Sequence, residues 1–144
     1  VYAARGGNFA KTMLRLARER DQLTVIDDQW GAPTGAELIA DVTAHAVRQL
    51  LQRPQDGGTY HLAAAGATNW FQYAQHVIGL ATHDRAAAPA PAKAPEILPI
   101  PTRQYPTPAR RPHNSRLDCT RLQTTFGLQL PPWQQGVNRM LREL

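Results

Sequence analysis

The chain has 144 residues, about the length of one domain, with a net charge of +5 at pH 7 and a pI near 10.0. A basic balance of this kind attracts polyanions. Most arginines, however, stand singly within predicted helices, without the interleaved aromatic residues of proteins that bind single-stranded nucleic acid. No apolar run approaches the roughly 20 residues that cross a bilayer. We therefore expect neither nucleic acid nor a membrane as a partner.

A single cysteine, Cys119, excludes an internal disulfide and any zinc site built on paired cysteines. This usage favours an intracellular protein, and we place it in the cytoplasm. The apolar pair Val1-Tyr2, followed by Arg5-Gly6-Gly7, indicates the end of a β-strand entered in mid-sequence. We therefore expect further chain upstream of Val1.

Hydrophobic periodicity predicts alternating helices and strands along most of the chain. Asn8 is a favourable N-cap, and Thr34-Gly-Ala-Glu37 fits a capping box. Residues 82–101 are rich in alanine and proline and lack periodicity, so a variable loop is predicted there. The predicted elements are a helix over 8–19, a strand over 23–26, a helix over 34–52, a strand over 59–63, a helix capped by Thr68, the 82–101 loop, an extended arm over 105–108, a short helix capped by Asp118 and ended by Gly127, and a last helix opened by Pro131-Pro132.

This order of elements predicts an α/β fold. Only two or three strands are predicted, which is too few for an independent parallel sheet. Such sheets are covered by helices on both faces and normally contain more strands. We therefore expect the chain to pack against a further part of a protein.

Several kinds of catalytic chemistry lack their residues in this sequence. Ser115, the only serine, does not lie in a G-x-S-x-G turn, and no histidine belongs to an HExxH motif. No tyrosine is followed four residues later by a lysine, and no glycine-rich phosphate-binding or dinucleotide-binding loop is present. The sequence therefore indicates neither a hydrolase, nor a zinc enzyme, nor an oxidoreductase that works unaided.

Five residues are suited to holding an anionic ligand. Asn8 at a helix start can contact a phosphate, although capping alone also accounts for it. Gln29, Pro33 and Thr34 lie in a strand-to-helix loop, where α/β proteins commonly bind ligands, although Thr34 is also explained as a cap. Arg111 lies in a basic cluster, where its guanidinium can clasp a diphosphate or remain an exposed charge.

Two carboxylates near helix ends are candidate magnesium ligands. Glu37 and Glu143 carry the oxygen atoms that Mg²⁺ prefers. The alternatives are a capping box for Glu37 and a solvated tail for Glu143. The residues alone leave both readings open.

An ordered set of segments connects the sequence to a known family. The longest is Tyr105-Pro-Thr-Pro-Ala-Arg-Arg-Pro-His-Asn-Ser-Arg-Leu-Asp118, preceded by Val25-Ile-Asp-Asp-Gln-Trp-Gly-Ala-Pro-Thr-Gly-Ala-Glu-Leu38. Val1-Tyr2 with Gly7 to Leu16, Gly58-Thr-Tyr-His-Leu62 and Trp133-Gln-Gln-Gly-Val137 complete the set. In these segments the chain resembles the dTDP-4-dehydrorhamnose reductase family, and residues 82–101 are unlike it.

The resemblance implies the C-terminal part of a Rossmann-type extended short-chain dehydrogenase/reductase. In this architecture a small mixed α/β substrate domain is interleaved with the last Rossmann elements. Residues 1–144 would form the nucleotide-sugar-binding part, with 34–64 packing on a Rossmann sheet. The implied reaction is hydride transfer from NADPH to dTDP-4-dehydro-β-L-rhamnose, giving dTDP-L-rhamnose. The cofactor loop and the catalytic Tyr-x-x-x-Lys pair would precede Val1.

The family's binding residues can be carried over position by position. Arg111 resembles the arginine directed at the diphosphate, and Asn8 with the 29–34 loop resembles pocket wall. Some family members bridge the subunits of a homodimer with magnesium through glutamates. Glu37 matches one such position, and Glu143 matches another less securely.

Three alternatives remain at the level of sequence. The regulatory subunit of methionine adenosyltransferase is similar to this family but acts as a binding partner, which gives a non-enzymatic alternative. Another sugar-nucleotide reductase or epimerase of the same superfamily is a second, although the 105–118 run argues against it. A basic nucleic-acid-binding domain is the third, and steep salt dependence would distinguish it.

Overall fold

The structure, a computed structural model, describes residues 1–84, 91 and 93–144. Helices and strands are interspersed along the chain, in keeping with the predicted α/β fold. None of the helices in the described ranges is long and apolar enough to span a membrane. The elements are α1 (Phe9–Glu19), β1 (Gln22–Ile26), β2 (Trp30–Gly31), α2 (Ala36–Leu50), β3 (Thr68–Asn69), α3 (Trp70–His83), β4 (Glu96–Ile100), α4 (Thr120–Phe126) and α5 (Trp133–Arg142), with short 3-10 turns at Pro54–Asp56 and Thr102–Gln104.

The main core lies where α1, α3 and α5 pack together beside β1. Helix α1 starts as predicted, because the side chain of Asn8 accepts a hydrogen bond from the Lys11 N–H at 3.0 Å. The apolar stripes of the three helices meet, and burying them supplies the main driving force for folding. The core includes Ala10, Met13, Leu14 and Ala17 of α1, Tyr73, Ala74, Val77, Ile78 and Ala81 of α3, and Trp133, Val137, Met140 and Leu141 of α5.

A smaller cluster joins α2 to α4. Val42 is the buried residue of α2, and it packs with Leu122 and Phe126 of α4 and with Leu130. Helix α4 ends at Gly127, as predicted, because the left-handed backbone there (φ 62°) suits a residue without a side chain. Much of α2 therefore remains uncovered by the described chain.

The two-stranded parallel sheet corrects the predicted 82–101 loop. Strand β4 pairs with β1 in register from Gln22 opposite Glu96 to Ile26 opposite Ile100, and α3 extends to His83. The Glu-Ile-Leu-Pro-Ile sequence of β4 has no alternation, so only its long-range pairing makes it a strand. The remainder of that predicted loop includes positions 85–90 and 92, which lie outside the described residues.

The predicted strand over 59–63 does not form within the described chain. A strand needs a neighbouring strand for its backbone hydrogen bonds, and in the described chain this segment has none. Side chains serve instead, since the Ala63 N–H donates to the sulfur of Cys119 at 3.2 Å. Residues 59–63 therefore run beside the helices without joining a sheet.

Three predicted caps are displaced by one residue. Helix α2 begins after Gly35 without a side-chain cap, so the predicted capping box does not form. Asn69, not Thr68, caps α3 by accepting from the Gln72 N–H at 2.8 Å. Helix α4 begins after Cys119, and the carboxylate of Asp118 accepts from the Thr120 N–H at 2.9 Å.

Candidate functional site

A cavity of about 380 Å³ opens where the start of α1 faces the loop after β1 and the start of α3. This volume lies within the range of small-molecule sites. We call it the ligand cavity. It is lined by Val1, Tyr2, Asn8, Phe9, Gln29, Trp30, Gly31, Ala32, Pro33, Thr68, Asn69, Trp70, Tyr73, Arg111, Pro112 and Ser115.

Aromatic rings form much of the wall of the ligand cavity. Phe9 stands between Trp70 and Tyr73, with ring centroids 4.7 Å and 5.2 Å away. Tyr73 is buried at 3% exposure, whereas Trp30 and Trp70 remain 37% and 36% exposed. The inner rings thus fix the wall, and the two indoles are available to a ligand.

A short antiparallel ladder links the backbone segments that carry the two exposed indoles. Trp30 of β2 pairs with Asn69 of β3, the residue that precedes Trp70. The other edge of Trp30 is also occupied, because its N–H donates to the His113 carbonyl at 2.8 Å and its carbonyl accepts from the Ser115 N–H at 2.8 Å. The loop after β1, the start of α3 and the 111–115 segment are therefore joined by backbone hydrogen bonds.

Gln29 is buried, and its amide is engaged on both sides. Its Oε1 accepts from the indole N–H of Trp70 at 3.2 Å, and its Nε2 donates to the Thr102 hydroxyl at 3.0 Å. The amide of Asn69 is similarly engaged, since its Nδ2 donates to the Asp27 carbonyl at 2.8 Å. Buried polar groups that are satisfied in this way rigidify the wall that carries them.

Asp28 anchors this network to the segment after β4. Its carboxylate accepts from both the backbone N–H and the hydroxyl of Thr102. The hydroxyl bond of Thr102 holds the pKa of Asp28 below its usual range, and the backbone bond and the nearby His113 act in the same direction. The ionised form of Asp28 is therefore the one that the fold favours.

Arg111 brings a positive charge to the rim of the ligand cavity. It is exposed, and it forms no hydrogen bond or ion pair with any residue in the described part of the chain. Its planar guanidinium can bind two oxygen atoms of a phosphate at once. The arrangement can therefore hold a ligand that combines flat rings with an anionic group.

Thr34 lies behind the ligand cavity and not among its lining residues. It is buried, and its hydroxyl donates to the Ala32 carbonyl at 3.0 Å while accepting from the Ala64 N–H at 3.1 Å. Its backbone carbonyl accepts from the Tyr2 N–H at 3.1 Å. Thr34 therefore ties together the N-terminal segment, the loop after β1 and the segment around Ala64.

Glu37 and Glu143 face a second cavity, of about 540 Å³, between α2 and α5. We call it the α2–α5 groove. Arg139 lies between the two glutamates, 3.4 Å from Glu37 and 3.2 Å from Glu143. Burial, together with the charge of Glu37, raises the pKa of Tyr2 to about 12. No group of three or more potential metal-ligating side chains is found within the described ranges.

Comparison with known proteins decides the family. A profile of the RmlD substrate binding domain matches residues 1–144, the whole chain. The chain belongs to this family. The dTDP-4-dehydrorhamnose reductase of Escherichia coli strain K12 is 56% identical over 144 residues, which are 100% of this chain and 47% of the relative. That of Burkholderia thailandensis is 44% identical over 148 residues, 100% of this chain and 49% of the relative.

Solved structures give the same fold. The dTDP-4-dehydrorhamnose reductase of Bacillus anthracis, in complex with NADP, superimposes with a TM-score of 0.83 and 29% identity, over 99% of this chain and 46% of that chain. The ortholog from Clostridium acetobutylicum gives a TM-score of 0.76 at 29% identity, over 94% of this chain and 43% of that chain. These matches confirm the predicted fold class and family. The domain spans about half the length of the relatives it matches.

Four of the five predicted ligand residues line the ligand cavity, namely Asn8, Gln29, Pro33 and Arg111, whereas Thr34 supports it from behind. The predicted magnesium ligands Glu37 and Glu143 lie at the α2–α5 groove. The sequence analysis placed the 29–34 loop, which includes Trp30, in the pocket wall, but it singled out neither Trp30 nor Trp70, and both line the ligand cavity.

Replacing Thr34 by valine keeps the shape of the side chain and removes the hydroxyl that accepts from the Ala64 N–H. A buried N–H left without an acceptor costs about 1–3 kcal/mol. We expect T34V to lower the free energy of unfolding in urea by this amount. Thr34→Ser is the matched control, because it keeps the hydroxyl and most of the stability. Equal stability of T34V and T34S would contradict the assigned role.

The lowered pKa of Asp28 predicts a pH dependence of stability. The unfolded aspartate has a pKa of about 3.9, so the stabilisation is fully present above that value and is lost as the pH falls through the lower folded pKa. We expect the difference in unfolding free energy between the wild type and Asp28→Asn to shrink from pH 7 to pH 3. Urea titrations at both pH values measure it, and an unchanged difference would contradict the assignment.

Proposed function

We propose that this domain is the nucleotide-sugar-binding part of a dTDP-4-dehydrorhamnose reductase, an NADPH-dependent oxidoreductase of dTDP-rhamnose biosynthesis. The reaction is the reduction of dTDP-4-dehydro-β-L-rhamnose to dTDP-L-rhamnose. The observation that carries the proposal is the unpaired guanidinium of Arg111 at the rim of an aromatic cavity. Relatives named for this activity match the whole domain, which supports the choice of substrate.

In this proposal Arg111 binds the diphosphate of the sugar nucleotide. A guanidinium without a protein partner loses no ion pair when it takes up an anionic ligand, so the full charge-assisted bond contributes to affinity. Asn8 and the 29–34 loop form the wall on either side, and Thr34 holds that wall in place. The domain's own residues therefore bind and orient the substrate.

The nicotinamide cofactor and the proton donor are assigned to another part of the protein. The domain has no glycine-rich dinucleotide loop and no Tyr-x-x-x-Lys pair, so its residues do not fit NADPH by themselves. When bound elsewhere in the protein, NADPH supplies the hydride. We also propose that the complete protein is cytoplasmic, in keeping with the single cysteine of this domain.

Residues 34–64 are proposed to pack on a Rossmann sheet outside this domain. Val47 and Leu51, at the end of α2, are 52% and 80% exposed. The 59–63 segment has no sheet partner in the described chain. A sheet placed beside them would bury these apolar groups and supply the missing backbone partners.

A magnesium site and a homodimer remain proposals about the assembled protein. Mg²⁺ prefers about six oxygen ligands, whereas Glu37 and Glu143 offer two carboxylates that already share Arg139. The residues of one chain therefore do not fit the ion by themselves. A site at the α2–α5 groove would draw its remaining ligands from a second subunit or from the Rossmann part.

A chimeric enzyme tests the function directly. The domain would replace the matching part of the E. coli relative, which aligns with all of its 144 residues. Oxidation of NADPH, followed by its absorbance, is expected only when dTDP-4-dehydro-L-rhamnose is added. A folded chimera that binds NADPH but never oxidises it in the presence of this substrate would favour the non-enzymatic alternative.

In that chimera, Arg111→Ala should raise KM for the dTDP-sugar, because a charge-assisted bond to the diphosphate is lost. The expected loss is about 1.5–3 kcal/mol, roughly 10-fold to 150-fold in kcat/KM. Arg110→Ala is the matched control, since Arg110 is the neighbouring arginine but does not line the ligand cavity. Equal effects of the two substitutions would remove Arg111 from the site.

A further inference from the structure

We propose that the exposed faces of Trp30 and Trp70 hold the base of the nucleotide, with Gln29 as the residue that positions Trp70. This inference rests on the proposed function, because it assigns the nucleotide end of the dTDP-sugar to one wall of the ligand cavity. It adds a base subsite and names the residues that build it.

The aromatic wall has one closed side and one open side. Behind Trp70, Phe9 and Tyr73 stack on each other at 5.2 Å, and Tyr73 is buried. The ring centroids of Trp70 and Phe9 lie 4.7 Å apart, with an angle of 52° between the ring planes. Trp70 nevertheless remains 36% exposed. A ring that is held by neighbouring rings, lines a cavity and remains partly exposed is suited to stacking against a flat ligand group.

Hydrogen bonds fix the orientation of this open ring. The indole N–H is the only donor of the Trp70 side chain, and it is satisfied by Gln29 at 3.2 Å. Gln29 is held in turn by Thr102, which is bound to the carboxylate of Asp28. The indole therefore stays in one orientation, and it interacts with a ligand through its face and not through its N–H.

The neutral amides around the cavity favour recognition by stacking over recognition by hydrogen bonds. Asn8 accepts from Lys11 and donates to the Ala3 carbonyl, while Asn69 accepts from Gln72 and donates to the Asp27 carbonyl. With Gln29, every one of these amides already has a protein partner on both its oxygen and its nitrogen. The two exposed indoles are the large groups left to contact a base.

The position of Arg111 orients the ligand. The 113–115 segment that follows Arg111 is hydrogen-bonded to the backbone of Trp30. A diphosphate bound at Arg111 thus lies on the same cavity as the indoles, and in a nucleotide the base and the diphosphate are joined by one sugar. The hexose must reach a cofactor that this domain does not hold, which leaves the base for the aromatic wall.

Calorimetric titration of dTDP into the chimeric enzyme described above, which supplies the part missing from this domain, tests the base subsite, since dTDP carries the base and diphosphate without the hexose. Stacking of one base on an aromatic ring contributes about 1–3 kcal/mol to binding. Trp70→Leu and Trp30→Leu should therefore each weaken dTDP binding about 10-fold. Tyr105→Leu is the control, because Tyr105 is an exposed aromatic residue outside the cavity. It should leave the affinity unchanged. Near-UV circular dichroism verifies that each variant is folded.

A measurement on the unsubstituted chimera avoids any folding defect of the variants. Stacking of the base on the exposed indoles should quench tryptophan fluorescence when dTDP is added, whereas pyrophosphate should not. Binding of dTDP with no quenching, or with affinity unchanged in both tryptophan variants, would overturn the base subsite and leave the proposed function standing. Weakened binding of dTDP-L-rhamnose alone would assign the indoles to the hexose. No binding of dTDP by the folded, unsubstituted chimera would overturn both proposals.

The role of Gln29 has its own spectroscopic test. In the ligand-free chimera, Gln29→Leu should shift the indole N–H resonance of Trp70, identified by its loss in Trp70→Phe, and should leave that of Trp133 in place. The same variant should weaken dTDP binding several-fold, while Trp70→Phe keeps much of it. An unmoved Trp70 resonance, or full dTDP affinity in Gln29→Leu, would show that Gln29 does not position the ring.

Discussion

The rest of the site depends on the hydrogen bond between the Ala64 N–H and the hydroxyl of Thr34. This hydroxyl accepts from the Ala64 N–H while the Thr34 backbone accepts from the Tyr2 N–H, so three distant segments meet at one buried residue. Ala65 continues the connection, because it exchanges hydrogen bonds with Pro131 and Trp133 at the start of α5. Tyr2, at the centre of this arrangement, lines both the ligand cavity and the α2–α5 groove. The N-terminal segment is thereby placed between the two cavities.

The ligand cavity contains two kinds of side chain: polar groups that are already hydrogen-bonded within the protein, and groups that remain free to contact a ligand. Buried amides and the Asp28–Thr102 contact hold the walls, so they have little capacity left for a ligand. The exposed indoles and Arg111 have the opposite character, with open faces and an unpaired charge. Because the wall is already ordered, few of its side chains lose further conformational entropy when a ligand binds.

The sequence predicted the elements whose signals are local. The Asn8 cap of α1, the apolar stripe of α5 and the end of α4 at Gly127 each follow from a few neighbouring residues. Strand β4 was missed because pairing with a segment more than 70 residues away makes it a strand. Thr34 fitted a capping box locally, but its hydroxyl is used by Ala64. The site shows the same limit. Arg111 could be identified from its basic cluster in the sequence, whereas Trp30 and Trp70 became candidates only because folding places them in the wall of the ligand cavity.

The most direct test of nucleotide binding by this domain is to map dTDP by NMR on the ¹⁵N-labelled chimeric enzyme with increasing ligand. The largest shifts are expected at Arg111 and at the indole groups of Trp30 and Trp70, with small changes at Glu37 and Arg139. Shifts concentrated at the α2–α5 groove, or none at saturating dTDP, would contradict the central claim that this domain binds the nucleotide in the ligand cavity.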